Sequence, residues 1–408
     1  MKIWHPYTQE AAELPPIPID RGEGAYLYTR DGRRLIDGIS SWWVNLHGHA
    51  HPLIAEAIAA QARKLEHVIF AGFTHETAEE LARRLGQVLP SALDRLFYSD
   101  NGSTAVETAL KIAVQYWHNR ERRRKHRIVA LEHAYHGDTI GAMSVSADSP
   151  FTAAFDALRL PVLRVPDANG LQQLLSAKKD EIAAMIVEPL IQGAGGMRVY
   201  AADELKRFHQ LCAANEVLFI ADEVFTGLGR TGRMFACEHA GITPDLMCLS
   251  KGLTGGFLPL AVTVCRREIY DVFYSTDRSR TFFHGHSYSG NPLGCAAAVA
   301  SLKIFETEPV FDRIAAIERI HRERLTAFRN HPGVEDVRML GTIAAIELRA
   351  DDAGYLSRLR SSLYNVFIEH GVLLRPLGNV VYTVPPYVIA PDDLHYIYDA
   401  IGKALQTV

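Results

Sequence analysis

The sequence predicts an α/β fold, in which a large domain with a mainly parallel central sheet is joined to a smaller α+β domain. Two observations lead to this prediction. Short apolar runs that end in polar or glycine-rich residues alternate with segments of helical periodicity, which is typical of a parallel sheet covered on both faces. The C-terminal part is richer in charge and has shorter strand candidates. The apolar runs that we interpret as strands of the large sheet are residues 96–98, 183–187, 217–220 and 246–249.

The clearest predicted helix follows Gly102. Apolar side chains recur there at intervals of three and four residues from Val106 to Trp117, so they form one stripe along a helix. Thr104 and Glu107 have the spacing of a capping box, and we expect them to begin this helix. Ligands of a parallel sheet bind outside the carboxyl ends of its strands. The polar residues that follow the predicted strands therefore mark the expected site.

The chain of 408 residues is long for a single core. We predict an N-terminal arm over residues 1–45, which contributes to the small domain and to the functional site. The large domain is predicted over residues 46–305 and the small domain over residues 306–408. A charge-rich helical segment and two short strands are expected in the small domain, at residues 311–329, 342–348 and 380–384.

Composition and charge argue against several classes of function. The net charge of -4 provides no basic field that would attract nucleic acid or an anionic membrane. No apolar run approaches the roughly 18 residues of a membrane span, and the N-terminus carries no secretion signal, so we expect a cytoplasmic protein. The five cysteines lack C-x-x-C spacing and are expected to be buried thiols. No metal site is predicted, because His47, His49 and His51 have no acidic or thiol cluster nearby.

Residues at three predicted strand ends have the chemistry to hold a phosphate-bearing cofactor together. Lys251 precedes a glycine-rich turn, and a partly buried lysine can form an imine with a carbonyl compound. Asp222 follows the strand 217–220, where a carboxylate would keep a pyridine nitrogen protonated. Gly102 and Ser103 open the predicted helix, and the amides of a helix N-terminus bind phosphate.

Each of these features also has a simpler explanation. A lysine such as Lys251 is more often a surface residue. Asp222 beside Glu223 could form a metal pair or a solvated strand end, and the turn before Ser103 could merely cap a helix. Their order in the chain and their common position at strand ends favour a cofactor enzyme with a Schiff-base lysine.

Six segments resemble the successive signature motifs of the class III pyridoxal-phosphate aminotransferases. They occur in the order of that family and extend over most of the chain. The resemblance implies the fold type I architecture, pyridoxal 5'-phosphate as the cofactor, and a homodimer with active sites at the subunit interface. The segments are SDNGSTAVETALKIA (99–113), HAYHGDTIGAMSVS (133–146), IVEPLIQGAGG (186–196), IADEVFTGLGRTGRMFA (220–236), PDLMCLSKGLTGGFLP (244–259) and HGHSYSGNPLGCAAA (284–298).

The two ends of the chain resemble the members of this family that aminate 8-amino-7-oxononanoate to 7,8-diaminononanoate in biotin biosynthesis. Aromatic walls suit the methylenes of that substrate, and an arginine fork suits its carboxylate. The segments that carry this resemblance are WHPYT (4–8), SSWW (40–43), HGH (47–49), RPLG (375–378), Tyr382 and PPY (385–387).

The resemblance also implies roles for individual residues. Lys251 is expected to carry the cofactor as an imine and to transfer protons, Asp222 to pair with the pyridinium, and Tyr135 to stack on or near the ring. Arg375 is expected to bind the substrate carboxylate. The residues expected to bind the cofactor are Gly102, Ser103, Tyr135, Asp222 and Lys251, with His286 and Ser287 from the other subunit. Those expected to contact substrate are Tyr7, Trp42, Gly285, Arg375 and Tyr382.

The resemblance favours S-adenosylmethionine as the amino donor of a ping-pong cycle. A lysine-using version of the same enzyme is one alternative, and a class III aminotransferase for an ω-amino acid or a diamine is another. A catalytically silent pyridoxal-phosphate-binding protein is the alternative outside enzymes. A nucleotide-binding protein is disfavoured, because G-x-x-x-x-G-K-[ST] and G-x-G-x-x-G are missing from the strand–helix junctions.

Overall fold

The computed structural model describes residues 3–13 and 15–406, whose strands belong to sheets of seven, four, three and two strands. In chain order the strands are β1 (Ile19–Glu23), β2 (Tyr26–Thr29), β3 (Arg34–Asp37), β4 (Leu93–Ser99), β5 (Arg127–Leu131), β6 (Leu163–Val165), β7 (Ile182–Val187), β8 (Ile191–Gln192), β9 (Arg198–Val199), β10 (Leu218–Asp222), β11 (Leu246–Leu249), β12 (Ala261–Arg266), β13 (Val334–Leu340), β14 (Ile343–Leu348), β15 (Val372–Leu373) and β16 (Val380–Thr383).

Helices connect most of these strands. The α-helices are Pro52–Lys64, Glu76–Val88, Gly102–Asn119, Ile140–Val145, Ala168–Lys178, Ala202–Ala214, Arg267–Asp271, Pro292–Thr307, Val310–Leu325, Leu359–Glu369 and Pro391–Ala404. Short 3-10 segments are Ala153–Leu158, Lys179–Glu181, Ala236–Ala240, Lys251–Thr254 and Arg278–Arg280.

The seven-stranded sheet has the order β4-β12-β11-β10-β7-β5-β6. Only β12 runs antiparallel to its neighbours β4 and β11, so the sheet is mainly parallel. Every residue of β7 is buried, as expected for a central strand that is covered on both faces. The predicted α/β class is confirmed, and the four predicted apolar runs lie in β4, β7, β10 and β11.

The helix Gly102–Asn119 packs its predicted apolar stripe on one face of this sheet. Trp117 is buried there, and its Nε1 donates to the carbonyl oxygen of Ala183 at 2.8 Å. The predicted capping box of Thr104 and Glu107 is wrong, because the helix begins earlier and Asn101 caps it. The Asn101 side chain accepts from the Thr104 amide at 3.1 Å. Glu107 instead accepts from the amide of Gly141 at 2.6 Å.

The smaller sheets bring the two ends of the chain together. β3 pairs in parallel with β15, so residues of the N-terminal part share a sheet with the C-terminal part. β13, β14 and β16 form an antiparallel sheet whose strands β14 and β16 match the predictions at 342–348 and 380–384. The boundaries proposed at residues 45 and 305 stay predictions.

A left-handed turn follows β3 at Ser40–Trp43. The φ angles of Ser40, Ser41, Trp42 and Trp43 are 50°, 46°, 81° and 72°. A left-handed conformation costs about 1–2 kcal/mol for each residue with a Cβ atom. The surrounding structure must therefore hold this turn in place.

The five cysteines are buried free thiols, as predicted. Within residues 3–13 and 15–406, no helix combines the length and the apolar character that a membrane crossing requires.

Candidate active site

A cavity of about 770 Å³ lies where β7, β10 and β11 end. Its walls come from the N-terminal arm, from the loops after these strands and from the C-terminal part of the chain. The predicted site residues that line it are Tyr7, Trp42, Gly102, Ser103, Tyr135, Asp222, Lys251, Arg375 and Tyr382. The remaining three, Gly285, His286 and Ser287, are not among its lining residues.

Lys251 follows β11 and has a left-handed backbone, with φ of 45°. Its Nζ lies 4.9 Å from the ring centroid of Trp43 and 5.7 Å from that of Phe225. The side chain keeps some accessible surface because it lines the cavity, but protein surrounds the amino group. This burial lowers the pKa of Lys251, and the charges of Asp222 and Glu188 partly oppose the shift. A lowered pKa enlarges the fraction of neutral amine, which is the form that attacks a carbonyl carbon.

Asp222, the last residue of β10, is held in one orientation. Its Oδ2 lies 2.7 Å from Nδ1 of His136, and its Oδ1 accepts from the Val224 amide at 3.1 Å. Since an ionised carboxylate only accepts hydrogen bonds, Nδ1 of His136 carries the proton. Sequence reasoning did not single out His136, although it belongs to the motif 133–146. These two contacts fix the Asp222 carboxylate at the floor of the cavity.

Glu188 is a second buried carboxylate that sequence reasoning did not assign to the site. It follows β7, and its side chain accepts from the amides of Tyr135 and Gly193, each at 2.9 Å. Burial raises the pKa of Glu188 to about 7, against the opposing charge of His136 and these hydrogen bonds. Its position directly after a predicted buried strand is the sequence signal that could have identified Glu188 as a site residue. Glu188 fixes the backbone that carries Tyr135.

The start of the helix Gly102–Asn119 forms a tight concave surface with the loop at Gly137. The Ser103 hydroxyl accepts from the Asp138 amide at 3.1 Å, which leaves its own proton to donate elsewhere. Gly137 has φ of 125°, and a Cβ atom there would lie 2.0 Å from Ser103 Oγ. At Gly102, a Cβ atom would lie 2.6 Å from a methyl carbon of Val224. Both positions need glycine for the backbone to approach this closely.

The N-terminal arm is attached to the cavity through two tyrosines and one carboxylate. Tyr135 donates to Asp138 Oδ1 at 3.0 Å, and Tyr7 donates to the other oxygen of Asp138. The ring of Tyr7 also meets that of Trp42 edge-on, with centroids 5.3 Å apart. Burial raises the pKa of both tyrosines, and Asp138 adds to the shift, so both phenols stay protonated donors.

Arg375 is positioned without a carboxylate partner. Its Nη2 donates to the Tyr7 carbonyl oxygen at 2.9 Å, and its Cζ lies 5.3 Å from the centroid of a Trp42 ring. None of the ion pairs among the described residues involves Arg375. Tyr382 is buried nearby, and its hydroxyl accepts from Trp43 Nε1 at 3.2 Å. The guanidinium is therefore available to an anionic ligand.

Gly285, His286 and Ser287 lie outside the cavity of their own chain. Gly285 and Ser287 are exposed, and Nδ1 of the half-buried His286 is 3.9 Å from Asp100. The same segment exposes the large side chains of Phe283 and Tyr288, which are 73% and 62% accessible. An exposed apolar segment of this kind is typical of a surface that contacts another protein.

Residues 7–405 match the sequence model of the family described as aminotransferase class-III. The chain belongs to the class III aminotransferases. Members of this family depend on pyridoxal 5'-phosphate, so the chain is a pyridoxal-phosphate-dependent transaminase.

Relatives of known name and structure agree with this family. An adenosylmethionine-8-amino-7-oxononanoate aminotransferase of Synechococcus elongatus is 50% identical over 100% of this chain and 99% of its own length. The crystal structure of the enzyme of that name from Methanocaldococcus jannaschii has a TM-score of 0.96 at 37% identity, over 100% of this chain and 97% of the other. An omega transaminase of Pseudomonas jessenii in complex with PMP has a TM-score of 0.93 at 28% identity, over 100% and 96% of the two chains.

The residues around the cavity fit pyridoxal 5'-phosphate. The amides at the start of the helix Gly102–Asn119 and the hydroxyl proton of Ser103 suit a phosphate group. Gly137 has no side chain, so the loop that carries it can lie close to Ser103. The buried carboxylate of Asp222 suits a protonated ring nitrogen. The amine of Lys251, whose pKa is lowered by burial, suits the aldehyde.

Proposed function

We propose that this transaminase converts 8-amino-7-oxononanoate to 7,8-diaminononanoate, a step of biotin biosynthesis. The observation that carries the proposal is the unpaired guanidinium of Arg375 at a cavity that also contains Lys251. An amino ketone that carries a carboxylate at its other end suits a cavity that offers both a reacting amine and a guanidinium without an ion-pair partner. The names of the full-length relatives, at 50% and 40% identity, support the same substrate.

The proposed substrate path runs between aromatic side chains. Tyr7, Trp42 and Tyr382 line the cavity near Arg375, and each buried methylene contributes about 0.8 kcal/mol to binding. The planar guanidinium of Arg375 can accept a carboxylate with two parallel hydrogen bonds. We propose that the distance between Arg375 and Lys251 determines which lengths of substrate chain the enzyme accepts.

Within this proposal, each residue at the reacting end has a defined task. When bound, pyridoxal 5'-phosphate supplies an electron sink for the carbon that carries the amino group. Lys251 would hold the cofactor covalently, and its amine, once the amino group of the substrate has displaced it from the cofactor, would move the proton at the reacting carbon of the substrate. Asp222, oriented by His136, stabilises the positive charge on the ring nitrogen. Tyr135 would stack on or near the ring.

The phosphate is proposed to bind at Gly102 and Ser103. We further propose that the enzyme is a homodimer, in which Gly285, His286 and Ser287 of each chain reach the cavity of the other. The exposed apolar residues Phe283 and Tyr288 beside them support this arrangement. The arm 1–45, the large domain 46–305, the small domain 306–408 and a cytoplasmic location belong to the same proposal.

The proposed amino donor is S-adenosylmethionine, and donor and acceptor are expected to use the cavity in turn, in a ping-pong cycle. The names of these relatives, which include adenosylmethionine, support this donor. Lysine is the alternative donor. A second candidate function is transamination with an ω-amino acid or a diamine as the amino donor, which the close structural match to an omega transaminase favours.

Half-reactions of the purified holoenzyme separate these possibilities. The absorbance of the bound cofactor is followed after addition of one compound at a time: S-adenosylmethionine or lysine as donor, and 8-amino-7-oxononanoate, 4-aminobutyrate or ornithine. The proposal predicts a change with S-adenosylmethionine and its reversal by 8-amino-7-oxononanoate. Turnover with 4-aminobutyrate or ornithine, but not with 8-amino-7-oxononanoate, would replace the proposed substrate with an ω-amine.

A further inference from the structure

The left-handed turn (Ser40–Trp43) is held at its first end by a buried carboxylate. Asp37 is 0% exposed and accepts from the Ser41 amide at 2.9 Å, the Ser41 hydroxyl at 2.7 Å and the Ile39 amide at 3.2 Å. Its Oδ2 also lies 2.9 Å from Nε2 of His49. These donors occupy the acceptor sites of the carboxylate, so Asp37 has no capacity left for a ligand.

A buried cation holds the other end of the same turn. Arg230 is 1% exposed and makes no ion pair among residues 3–13 and 15–406. Its Nη2 donates to the carbonyl oxygens of Trp43 and Asn45, each at 3.4 Å, and its Nη1 donates to that of Pro385 at 2.8 Å. A buried charge without a counter-ion is costly unless its hydrogen bonds are made. Nη2 of Arg230 therefore bonds the backbone that leaves the turn and Nη1 bonds Pro385, whereas its Nε has no hydrogen-bond partner among the described residues.

Both tryptophans of the turn lie where the proposed chemistry takes place. Trp43 is 4.9 Å from Lys251 Nζ, and Trp42 is 5.3 Å from Arg375 Cζ, measured from the ring centroids. A shift of the turn would therefore change the surroundings of the reacting amine and of the proposed carboxylate site together.

The segment that follows the turn touches the loop of Lys251. A Cβ atom on Gly252 would lie 2.7 Å from the Leu46 side chain, and one on Gly256 would lie 2.9 Å from the Cα atom of Asn45. Contacts this close leave no free space between the two segments. A movement of Asn45 or Leu46 would consequently reach Lys251.

We propose that Asp37 and Arg230 are a pair of positioning residues, which clamp the left-handed turn from its two ends and thereby set Trp42 against Arg375 and Trp43 against Lys251. Neither residue touches the reacting atoms. The effect on substrate selection rests on the proposed function, whereas the positioning of the tryptophans does not.

Fluorine NMR of the holoenzyme tests the clamp directly. The sequence has four tryptophans, Trp4, Trp42, Trp43 and Trp117, which can be replaced by 5-fluorotryptophan and assigned with single Trp→Phe variants. Asp37→Asn, Arg230→Lys and their double variant are compared with the parent protein. Ser41→Ala removes one hydrogen bond of the clamp and serves if the charged variants fail to fold.

The matched control is Asp245→Asn. Asp245 also accepts a backbone amide, that of Phe219 at 2.8 Å, and pairs with a cation, Arg266 at 3.2 Å, but it precedes β11 at the end of the sheet away from the cavity. A general loss of stability would therefore appear in this variant too. Asp245→Asn is expected to leave all four resonances and the turnover unchanged.

The clamp variants are expected to shift or broaden the resonances of Trp42 and Trp43 and to leave that of Trp117 in place. They should also lower kcat/KM for the amino acceptor about 100-fold, as expected for a displacement near 1 Å. The double variant should lose less than the product of the single losses, because the two residues act on one element.

Unchanged Trp42 and Trp43 resonances in Asp37→Asn, or in Ser41→Ala if that is the folded variant, would overturn the proposal. Strictly multiplicative losses would overturn the pairing of Asp37 with Arg230. The spectra need no substrate, so they decide this proposal even if 8-amino-7-oxononanoate is not turned over.

Discussion

Replacement of Gly137 by alanine should weaken cofactor binding through a clash with Ser103, whose Oγ, Cβ and Cα atoms would lie 2.0, 2.8 and 3.1 Å from the new Cβ atom. The new Cβ atom would lie 2.0 Å from Ser103 Oγ, whereas ordinary contacts of a Cβ atom begin at 3.4 Å. The Ser103 hydroxyl must therefore move by about 1.4 Å or turn away, and it loses the Asp138 amide at 3.1 Å. The displaced Ser103 hydroxyl would also lose its proposed hydrogen bond to the cofactor phosphate, and a hydrogen bond to a charged group contributes about 1.5–3 kcal/mol. The dissociation constant for pyridoxal 5'-phosphate should rise about 10- to 100-fold.

The assay is a titration of cofactor-free protein with pyridoxal 5'-phosphate, followed by absorbance or tryptophan fluorescence. Gly32→Ala is the matched control, because Gly32 also has a positive φ, of 86°, but nothing lies within 4 Å of the added Cβ atom. The Gly32→Ala variant therefore measures the effect of backbone strain at a positive-φ glycine without a steric clash. Ser103→Ala and the double variant with Gly137→Ala complete a double-mutant cycle.

If the steric explanation is correct, Ser103→Ala weakens binding by a similar factor. The double variant keeps a contact of 2.8 Å with the Cβ atom of residue 103, but its loss should be smaller than the product of the two single losses. Wild-type affinity in Gly137→Ala would refute the reasoning. An equal loss of cofactor affinity in Gly32→Ala would mean that backbone strain alone causes the effect. Ser103 would then no longer be assigned to the phosphate site.

Two further predictions concern charged groups of the cavity. Arg375→Ala should raise KM for 8-amino-7-oxononanoate about 10- to 100-fold and spare the donor half-reaction. Arg360→Ala is its control, because Arg360 pairs with Glu13 at 3.3 Å, and equal damage to both half-reactions would remove Arg375 from the acceptor site. Glu188→Gln should flatten the pH dependence of the free energy of unfolding in cofactor-free protein. Burial raises the pKa of Glu188 from 4.5 to about 7, so its contribution is fully present below the unfolded pKa and is lost as pH rises through about 7, on the order of 3 kcal/mol. Urea titrations near pH 5 and near pH 8 measure this loss, and an identical pH dependence in wild type and variant would contradict the burial argument.

The parts of the fold that sequence reasoning could predict are those with a local signal. The apolar strand before Asp222 and the one before Lys251 each form a continuous buried run, and their polar ends meet at one edge because parallel strands end together. The family motifs then supplied an expectation of the cavity. Nine predicted residues line it, from Tyr7 to Tyr382.

The features that were missed depend on contacts between distant residues. The left-handed turn at Ser40–Trp43 contains no glycine, and it exists because Asp37 and Arg230 bond its two ends. His136 is held in the site by its hydrogen bond to Asp222, which is 86 residues away in sequence. The wrong capping box had a local origin instead, since Asn101 and Thr104 offer the same chemistry one turn earlier.

The proposed reaction requires Lys251 to perform amino transfer to 8-amino-7-oxononanoate. Its most direct test is the formation of 7,8-diaminononanoate, measured by mass spectrometry, by the wild-type holoenzyme and by Lys251→Ala with S-adenosylmethionine as donor. The wild-type enzyme should form the product. Lys251→Ala should still bind the cofactor noncovalently but lose at least about 10⁴-fold in rate, since it lacks both the covalent amine and the proton carrier. Normal product formation by Lys251→Ala would contradict the claim.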